Sequence, residues 1–331
     1  MTTVGRKADH LRIAAGADVE HAGGSGFAHV RLRHRALPER DLDDVSLETD
    51  LLGARLGAPL VVSAMTGGTE EAARINAALA RAACEQALAV VLGSGRALLE
   101  DPALLETYRS ADRPPLLLGN LGAAQVVLPD APARAERLVE LLAADGLTIH
   151  LNPIQEAVQP EGEPRFAGVA AGIAAIVSHL APRPVVVKEV GFGMDAADVA
   201  LLRDAGVAAI DVAGAGGTNW ALVEGRRDER AGEVAAAFAD WGVPTADALA
   251  DARAAAPDLP LIASGGLRDG VDAAKALALG ASAAGLARPF LLAAQAGTAS
   301  ETAATLVRQL RVAVWAAGAP GAAALGPEHL R

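Results

Sequence analysis

The chain reads Gly146-Leu-Thr-Ile-His-Leu-Asn-Pro-Ile-Gln-Glu156 near its middle, an apolar run that ends in polar side chains. The polar residues are His150, Asn152, Gln155 and Glu156. Packing alone does not place an imidazole, two amides and a carboxylate at the end of a buried strand. The stretch therefore predicts a β-strand that delivers a polar site at its C-terminal end. With one carboxylate and no serine or cysteine, the group suits metal binding, hydrogen bonding and proton transfer better than acyl transfer.

Similar apolar runs recur along the whole chain, separated by alanine-rich segments with helical spacing. Eight such units predict an α/β fold, a (β/α)8 TIM barrel. An open doubly wound sheet is the alternative, but no G-x-G-x-x-G fingerprint follows the first strand. The predicted strands are residues 59–65, 88–94, 115–120, 147–152, 184–189, 209–213, 259–264 and 283–287, and the predicted helices include residues 70–86, 132–144, 166–180, 195–205, 245–256 and 270–279.

The predicted barrel leaves a segment at each end of the chain. Residues 1–58 precede the first strand, and we expect them to form an N-terminal extension that covers the C-terminal barrel face and contributes substrate contacts. Residues 59–318 form the barrel, and residues 319–331 form a C-terminal tail. Because the tail is rich in glycine, alanine and proline, we expect it to be partly disordered.

Composition and charge narrow the classes of partner. The 331 residues are 52% hydrophobic, which is ample for a buried core, and the formal net charge is −11. This charge argues against nucleic acid or an anionic membrane as a partner, whereas a small anionic ligand needs only local cations or a metal. Cys84 is the one cysteine, so no internal disulfide can form and a cytoplasmic location is expected. No apolar stretch is long enough to span a bilayer.

The ends of the seventh and eighth strands predict a phosphate site. Gly265 and Gly266 follow the seventh strand, and Ala287 and Arg288 follow the eighth. Backbone N–H groups approach a phosphate closely where no side chain intervenes, and a helix that starts there adds a favourable dipole. A Gly-Gly pair alone can also be a simple tight turn. Its place beside a second glycine-bearing strand end favours the phosphate site.

Lys188 lies within the apolar run Val185-Val-Val-Lys-Glu-Val190. A lysine is rarely buried without a partner, so one interpretation is a structural ion pair with Glu189 or a neighbour. The functional interpretation is a fixed positive charge that faces a ligand which becomes anionic. A reduced flavin ring is such a ligand.

Four cationic side chains are candidates for binding a diphosphate. Arg6, Lys7 and His10 lie near the N-terminus, and Arg96 follows the second strand. Guanidinium and ammonium groups bind phosphate oxygens through charge-assisted hydrogen bonds. An N-terminal basic cluster is more often simply solvated, which is the alternative for the first three residues. The position after a strand end favours Arg96.

These motifs resemble the type 2 isopentenyl-diphosphate isomerases, a family that uses FMN, and the resemblance runs almost from end to end. The most specific matches are His150-x-Asn-x-x-Gln-Glu156, Gln159-Pro-Glu-Gly162 and Arg6-Lys7. The other matches are Ala36-Leu-Pro-Glu39, Ser63-Ala-Met-Thr-Gly-Gly68, Gly93-Ser-x-Arg96, Asn120, Lys188-Glu-x-Gly-x-Gly193, Gly214-x-Gly-Gly-Thr-x-Trp220, Ser264-Gly-Gly-x-Arg268 and Gly285-x-Ala287.

Three positions depart from the family pattern. Ala8 stands where an acidic residue is usual, Gly95 where glutamine is common, and Glu163 where aspartate is usual. None of these departures removes a predicted reacting group. We expect Gly95 to loosen the corner after the second strand and to weaken the placement of flavin or substrate.

The resemblance implies an isomerase of isoprenoid biosynthesis that interconverts isopentenyl diphosphate and dimethylallyl diphosphate, with no net redox change. It implies reduced FMN, with NADPH as the reductant, and Mg²⁺. It makes Gln155 the candidate catalytic residue and Glu156 the metal ligand. The implied substrate contacts are Arg6, Lys7, His10, Ser94, Arg96, His150, Asn152 and Gln155, and the implied flavin contacts are Ala64, Met65, Thr66, Ser94, Asn120, Lys188, Thr218, Gly265, Gly266, Ala287 and Arg288.

The resemblance also implies a homo-oligomer, a tetramer or octamer, that acts on a small molecule without nucleic acid or membrane. Two other functions remain open from the residues. One is an FMN-dependent barrel oxidoreductase, such as a 2-hydroxy-acid oxidase, although its paired histidine and arginine late in the barrel are not evident. The other is a non-catalytic relative that binds flavin or an isoprenoid.

Overall fold

The computed structural model describes residues 3–16 and 18–331, so residues 1, 2 and 17 of the predicted extension lie outside the described residues. Eight parallel strands follow one another around a closed barrel, and the last pairs with the first. This confirms the predicted (β/α)8 barrel and all eight predicted strands. The barrel strands are β3 Leu60–Val62, β4 Ala89–Val91, β5 Leu116–Gly122, β6 Gly146–Leu151, β7 Val185–Glu189, β8 Ala209–Asp211, β9 Leu261–Ala263 and β10 Ala283–Leu286.

All six predicted helices are confirmed. Side chains at their starts explain several boundaries: Thr69, Asp195 and Asp269 each accept a hydrogen bond from a backbone N–H of the first turn. The helices are α1 Thr3–Gly16, α2 Glu70–Gln86, α3 Arg96–Glu100, α4 Ala123–Val126, α5 Ala131–Leu142, α6 Pro153–Val158, α7 Val169–Leu180, α8 Ala196–Asp204, α9 Trp220–Gly225, α10 Glu229–Ala236, α11 Thr245–Ala255, α12 Gly270–Ala278, α13 Arg288–Ala296 and α14 Ala299–Ala316.

Alternate residues of each strand point into the barrel, and these positions change from apolar to polar along the strand. In β5 the inward positions run Leu116, Leu118 and then Asn120, and in β7 Val186 precedes Lys188. The apolar inward residues form one buried cluster, and a larger cluster fills the space between strands and helices. Polar side chains are thereby confined to the C-terminal end of the barrel.

The extension covers both ends of the barrel. Helix α1 lies at the C-terminal face, where it packs on α9 and α13, as expected. The antiparallel hairpin of β1 Thr49–Leu51 and β2 Ala54–Leu56 lies at the opposite end, where Leu51 and Leu56 join the cluster inside the barrel. The expectation of a cover on the C-terminal face alone is therefore incomplete, because the hairpin supplies the apolar side chains that close the other end.

The tail is folded, contrary to the expected partial disorder. It forms short 3-10 helices at Ala322–Ala324 and Pro327–His329. Leu330 pairs with Leu32 in an antiparallel bridge, and the N–H of Arg33 donates to the His329 carbonyl at 2.8 Å. These backbone hydrogen bonds hold the tail in one conformation although its composition favours disorder. Within the described ranges, no helix combines the length and apolar character that crossing a membrane requires.

Candidate active site

A cavity of about 470 Å³ opens at the C-terminal ends of the barrel strands, beneath α1. Every residue predicted for the site lines this cavity, and the role of each stays a prediction. The residues are Arg6, Lys7, His10, Ala64, Met65, Thr66, Ser94, Arg96, Asn120, His150, Asn152, Gln155, Glu156, Lys188, Thr218, Gly265, Gly266, Ala287 and Arg288.

Strand register places three ionisable side chains in one layer at the floor of the cavity. His150 of β6 is paired with Lys188 of β7, which is paired in turn with Asp211 of β8. Neighbouring residues in parallel strands point to the same side, so the lysine lies between the imidazole and the carboxylate. Burial raises the pKa of Asp211, although Lys188 and a 2.7 Å hydrogen bond from Ser264 Oγ oppose the shift.

Lys188 is buried, and its ammonium group donates to the backbone carbonyl of Glu189. The carboxylate of Glu189 faces away from that lysine: its Oε2 accepts the N–H groups of Val190, Gly191 and Phe192 at 2.5–2.6 Å. Burial raises the pKa of Glu189 to about 7 despite these hydrogen bonds. The ion-pair interpretation named Glu189 or a neighbour. The structure disfavours Glu189, because its carboxylate binds its own loop, and leaves Asp211 as the neighbouring carboxylate.

The amide of Asn120 fixes the protonation of His150. Asn120 Nδ2 donates to the Leu92 carbonyl at 3.0 Å, which can only accept, so Asn120 Oδ1 faces His150 Nδ1 at 2.8 Å. An amide oxygen accepts, so Nδ1 carries the proton. Burial, and then the charges of Lys188, Lys7 and Arg6, lower the pKa of His150 to about 3. The imidazole is therefore neutral, with Nε2 as a hydrogen-bond acceptor.

Gln155 lines the cavity in front of a buried carboxylate that the sequence did not reveal. Gln155 Nε2 donates to Glu224 Oε1 at 2.8 Å, and Gln155 Oε1 accepts from Asn152 Nδ2 at 3.1 Å. Glu224 also lies 2.8 Å from His10 Nε2 and 2.5 Å from the Arg227 guanidinium. Burial alone would raise the pKa of Glu224, but hydrogen bonds to His10, Gln155 and Arg227 together outweigh burial. The pKa is therefore lowered overall, and the carboxylate stays ionised.

His10 contacts a carboxylate that the sequence did not link to it. The sequence predicted His10 among the diphosphate anchors, and its Nε2 lies 2.8 Å from Glu224 Oε1, beside Gln155. The imidazole also stacks edge-on against Trp220, with ring centroids 5.2 Å apart. Because His10 also lines the cavity, its contact with the substrate stays a prediction.

Glu156 is held by three hydrogen bonds at the cavity wall. Its Oε1 accepts from Asn152 Nδ2 at 3.0 Å, and its Oε2 accepts from Gln159 Nε2 and from the Glu163 N–H, each at 2.7 Å. The described residues contain no group of three or more histidine, cysteine, aspartate or glutamate side chains that could hold a metal. One carboxylate fits Mg²⁺ only together with ligand phosphate oxygens and water.

Arg96 is already paired with two carboxylates. Its Nε donates to Glu100 at 2.9 Å, and its two terminal nitrogens donate to Glu163 at 3.2 and 3.3 Å. The guanidinium lines the cavity, so an anionic ligand would compete with Glu163 for it. Arg96 therefore lies where the predicted diphosphate anchor should be, but its charge is partly neutralised by Glu100 and Glu163.

Gly95 tightens the corner after the second barrel strand, contrary to the expected loosening. Its N–H donates to the Asn120 carbonyl at 2.7 Å. A Cβ atom at this position would lie 2.4 Å from Leu138 Cδ1, and Leu138 of α5 is fully buried. A glycine fits here because the helix packs directly on the backbone.

The features predicted to hold FMN are compatible with a flavin. The backbone has φ of +101° at Gly265 and +73° at Gly266, a conformation that glycine adopts readily, and α13 begins nearby at Arg288. At the same cavity, Ser63 Oγ and Thr66 Oγ1 are buried without a hydrogen-bond partner among the described residues. Flavin carbonyls and ring nitrogens would supply such partners.

Three further residues contact the predicted site residues and were not predicted from the sequence. Glu224 is an acidic residue inside an apolar helical run, which is a weak signal in itself. Tyr108 follows a short 3-10 helix with no motif. Glu20 accepts from Arg288 at 3.2 Å and from Arg268 at 2.8 Å, and thus ties the extension to the predicted phosphate site. Their partners are distant in sequence, so only the fold reveals them.

Comparisons with known proteins find one family model of flavin enzymes and a set of relatives named as isomerases. The family model for FMN-dependent dehydrogenases matches residues 158–331. The chain is 50% identical to the isopentenyl-diphosphate delta-isomerase of Xanthobacter autotrophicus, over 95% of this chain and 93% of that protein. It is 48% identical to the protein of the same name from Stutzerimonas stutzeri, over 99% and 96% of the two chains.

Solved structures with lower sequence identity share the fold. Mandelate oxidase with (S)-2-phenylpropionate aligns with a TM-score of 0.68 at 22% identity, over 99% of this chain and 93% of that one. A flavocytochrome b2 variant with benzoylformate aligns with a TM-score of 0.73 at 19% identity, over 98% and 82% of the two chains. At this identity the likeness concerns the barrel alone.

Proposed function

Because the chain belongs to the isopentenyl-diphosphate delta-isomerase family, we propose that it interconverts isopentenyl diphosphate and dimethylallyl diphosphate in this cavity, with FMN and Mg²⁺. One observation carries the proposal: a single cavity contains two separate sets of groups that can bind an anion. The backbone around Gly265, Gly266 and Ala287 suits the flavin phosphate, and Lys7 with Arg96 suits a substrate diphosphate. A 2-hydroxy acid carries a single carboxylate, which one arginine can bind, whereas two cationic side chains suit the larger charge of a diphosphate.

Reduced flavin, when bound, supplies an electron-rich ring beside the alkene, which stabilises positive charge as a proton is added. Lys188 provides a buried positive charge for the flavin, and the hydroxyl groups of Ser63 and Thr66 provide hydrogen bonds. The neutral imidazole of His150 offers a hydrogen-bond acceptor at Nε2 without adding charge.

The reaction adds a proton at one carbon of the alkene and removes one from another. Gln155 orients the reacting end of the substrate, because its amide is held by Asn152 on one side and Glu224 on the other. An amide is a poor acid or base by itself. Glu224, kept ionised behind Gln155, places a negative charge near the carbon that becomes positive and holds His10 in place.

Glu156 would hold Mg²⁺ through one carboxylate oxygen, with phosphate oxygens of the substrate and water as further ligands. The ion would neutralise part of the charge of the diphosphate. Lys7, Arg6 and Arg96 hold the other phosphate oxygens, with Ser94 as a neutral donor. Asn152 orients Gln155 and Glu156 through its two amide protons.

Three further expectations rest on the resemblance to the family. NADPH is the reductant of the flavin, the assembly is a homotetramer or homo-octamer, and the protein acts in the cytoplasm. Size measurement by light scattering and a comparison of NADPH with NADH as reductant test the first two directly.

The proposal is tested by anaerobic incubation of the protein with FMN, NADPH, Mg²⁺ and isopentenyl diphosphate, followed by proton NMR. We expect dimethylallyl diphosphate to appear only when the flavin is reduced and Mg²⁺ is present. Stoichiometric consumption of an electron acceptor would point to an oxidoreductase. Bound and reduced flavin with no product would point to a non-catalytic relative.

A further inference from the structure

Tyr108 lies just outside the cavity, at the end of the 3-10 helix Pro102–Thr107. Its side chain is buried, and its ring packs against the backbone of the loop that follows β3, at Gly67. A Cβ atom at Gly67 would lie 2.0 Å from the ring carbon Cε1. The glycine is therefore required for the ring to reach this position.

The hydroxyl group of Tyr108 contacts two residues that are predicted to bind the substrate. Tyr108 Oη donates to the Ser94 carbonyl at 2.8 Å and accepts from Lys7 Nζ at 2.6 Å. Lys7 Nζ also donates to the same Ser94 carbonyl at 2.6 Å. The three atoms form a closed triangle that joins α1 to the end of the second barrel strand.

The segment that carries Tyr108 is itself fixed. The hydroxyl group of Thr107 accepts the Gly68 N–H at 2.8 Å, and its carbonyl accepts from Asn76 Nδ2 on α2 at 2.9 Å. The neighbouring residues thereby hold the tyrosine hydroxyl in one place relative to the barrel.

Lys7 needs such support because its ammonium group is poorly hydrated. Burial, and then the charge of Arg6, lower the pKa of Lys7 to about 7, whereas the charge of Glu100 opposes the shift. A buried charge is stable only when hydrogen bonds replace its water. The hydroxyl of Tyr108 and the carbonyl of Ser94 provide two of these bonds.

We propose that Tyr108 is a positioning residue that holds the ammonium group of Lys7 for the diphosphate of the substrate. This inference rests on the proposed function and deepens it. An ammonium group has three donors; Tyr108 and Ser94 take two, and the third is left for a phosphate oxygen. Among the described residues, Lys7 lines the cavity and Tyr108 does not, so the tyrosine acts through the lysine.

The test measures binding of inorganic pyrophosphate with Mg²⁺ to the FMN-loaded protein by calorimetry. Tyr108→Phe keeps the ring that packs on Gly67 and removes the hydroxyl, and we expect affinity to fall about tenfold. Lys7→Met should lose affinity as well, and adding Tyr108→Phe to it should cause no further loss. Ser110→Ala removes a hydroxyl from the same loop, where it accepts only a local backbone hydrogen bond from Asp112, and should bind as the wild type does.

Turnover gives a second measurement. For isopentenyl diphosphate we expect Tyr108→Phe to raise KM about tenfold and to leave kcat within about twofold. Unchanged pyrophosphate affinity, an equal loss in the Lys7→Met background, or a loss confined to kcat would each overturn the proposal. FMN absorbance and a thermal unfolding curve establish that each variant is folded. Pyrophosphate binding without turnover would reject the isomerase activity and leave the role of Tyr108 standing.

Discussion

Asn120 sets the chemistry of His150 without carrying a charge. Its amide is oriented by the Leu92 carbonyl, and this orientation determines which imidazole nitrogen holds the proton. The imidazole of His150 therefore adds no positive charge to the cavity. Burial lowers the pKa of Lys7, which lines the same cavity, to about 7.

The lowered pKa of Lys7 predicts a pH dependence of anion binding. Above pH of about 7 the free protein loses the Lys7 proton, whereas a bound anion favours the charged form, so binding takes up a proton. We expect the Kd for pyrophosphate to rise with pH above about 7, by at most about tenfold per unit. Calorimetry across this range measures the change.

Lys7→Arg is the control, because arginine stays charged throughout this range. The ionisation of pyrophosphate contributes equally to both proteins. The same rise of Kd with pH in wild type and Lys7→Arg would show that Lys7 is not the titrating group. Arg6 and Glu100, the two other charged groups that influence Lys7, are unchanged in this comparison.

Gln155→Ala should keep flavin binding and lose turnover by about 100-fold or more, because the substrate loses the group that orients it. Flavin absorbance and the NMR assay measure the two properties. Gln295→Ala is the matched control, since this glutamine lies on α13 outside the cavity and its amide donates a hydrogen bond to Glu71. A fully active Gln155→Ala variant would reject the catalytic assignment.

Glu156→Gln should raise the Mg²⁺ concentration needed for half-maximal activity by about tenfold or more, because the amide removes the one carboxylate charge that we assign to the ion. A titration of activity with MgCl2 measures this requirement. An identical titration in wild type and variant would remove Glu156 from the metal site.

At the scale of elements, the barrel strands were predictable because parallel strands buried on both faces read as continuous apolar runs. Helix α1 was not predicted. Its Arg6, Lys7 and His10 line the cavity, whereas Leu11 and Ile13 are buried. Neither face shows the usual contrast between core and solvent, so the periodicity is obscured.

Gly95→Gln should lower the free energy of unfolding by about 1–3 kcal/mol, because the new Cβ meets the fully buried Leu138. Chemical denaturation monitored by circular dichroism measures the effect. Gly16→Gln is the control, since a Cβ there meets nothing within 4 Å. Equal stability of wild type and Gly95→Gln would mean that α5 shifts at no cost.

At the scale of the whole molecule, the sequence predicted residues that line the cavity but not the long-range contacts that hold them in place. Residues at strand ends were predictable because the barrel brings those ends together. Glu224 and Tyr108 act through partners 69 and 101 positions away, and no local pattern encodes such a distance. The same holds for the hairpin that closes the opposite end of the barrel.

Ligand binding should stabilise the entire barrel, since the residues predicted to contact the flavin lie at the ends of several strands. FMN at about 100 times its Kd adds about 2.7 kcal/mol to the free energy of unfolding, and calorimetry at increasing FMN should show Tm rising in step. Riboflavin, which lacks the phosphate, should raise Tm far less at equal concentration. Equal shifts for the two flavins would argue against a phosphate site at Gly265 and Ala287.

Helix α1 stands across the mouth of the cavity and is fastened at both ends. Lys7 contacts Ser94 and Tyr108, and the carbonyl of Ala14 accepts from Arg288 at 3.1 Å. We expect entry and exit of the flavin to wait for these fastenings to release, so that residence time is governed by the helix rather than by affinity alone. Protein purified from cells would then keep its yellow colour through chromatography that strips free ligand.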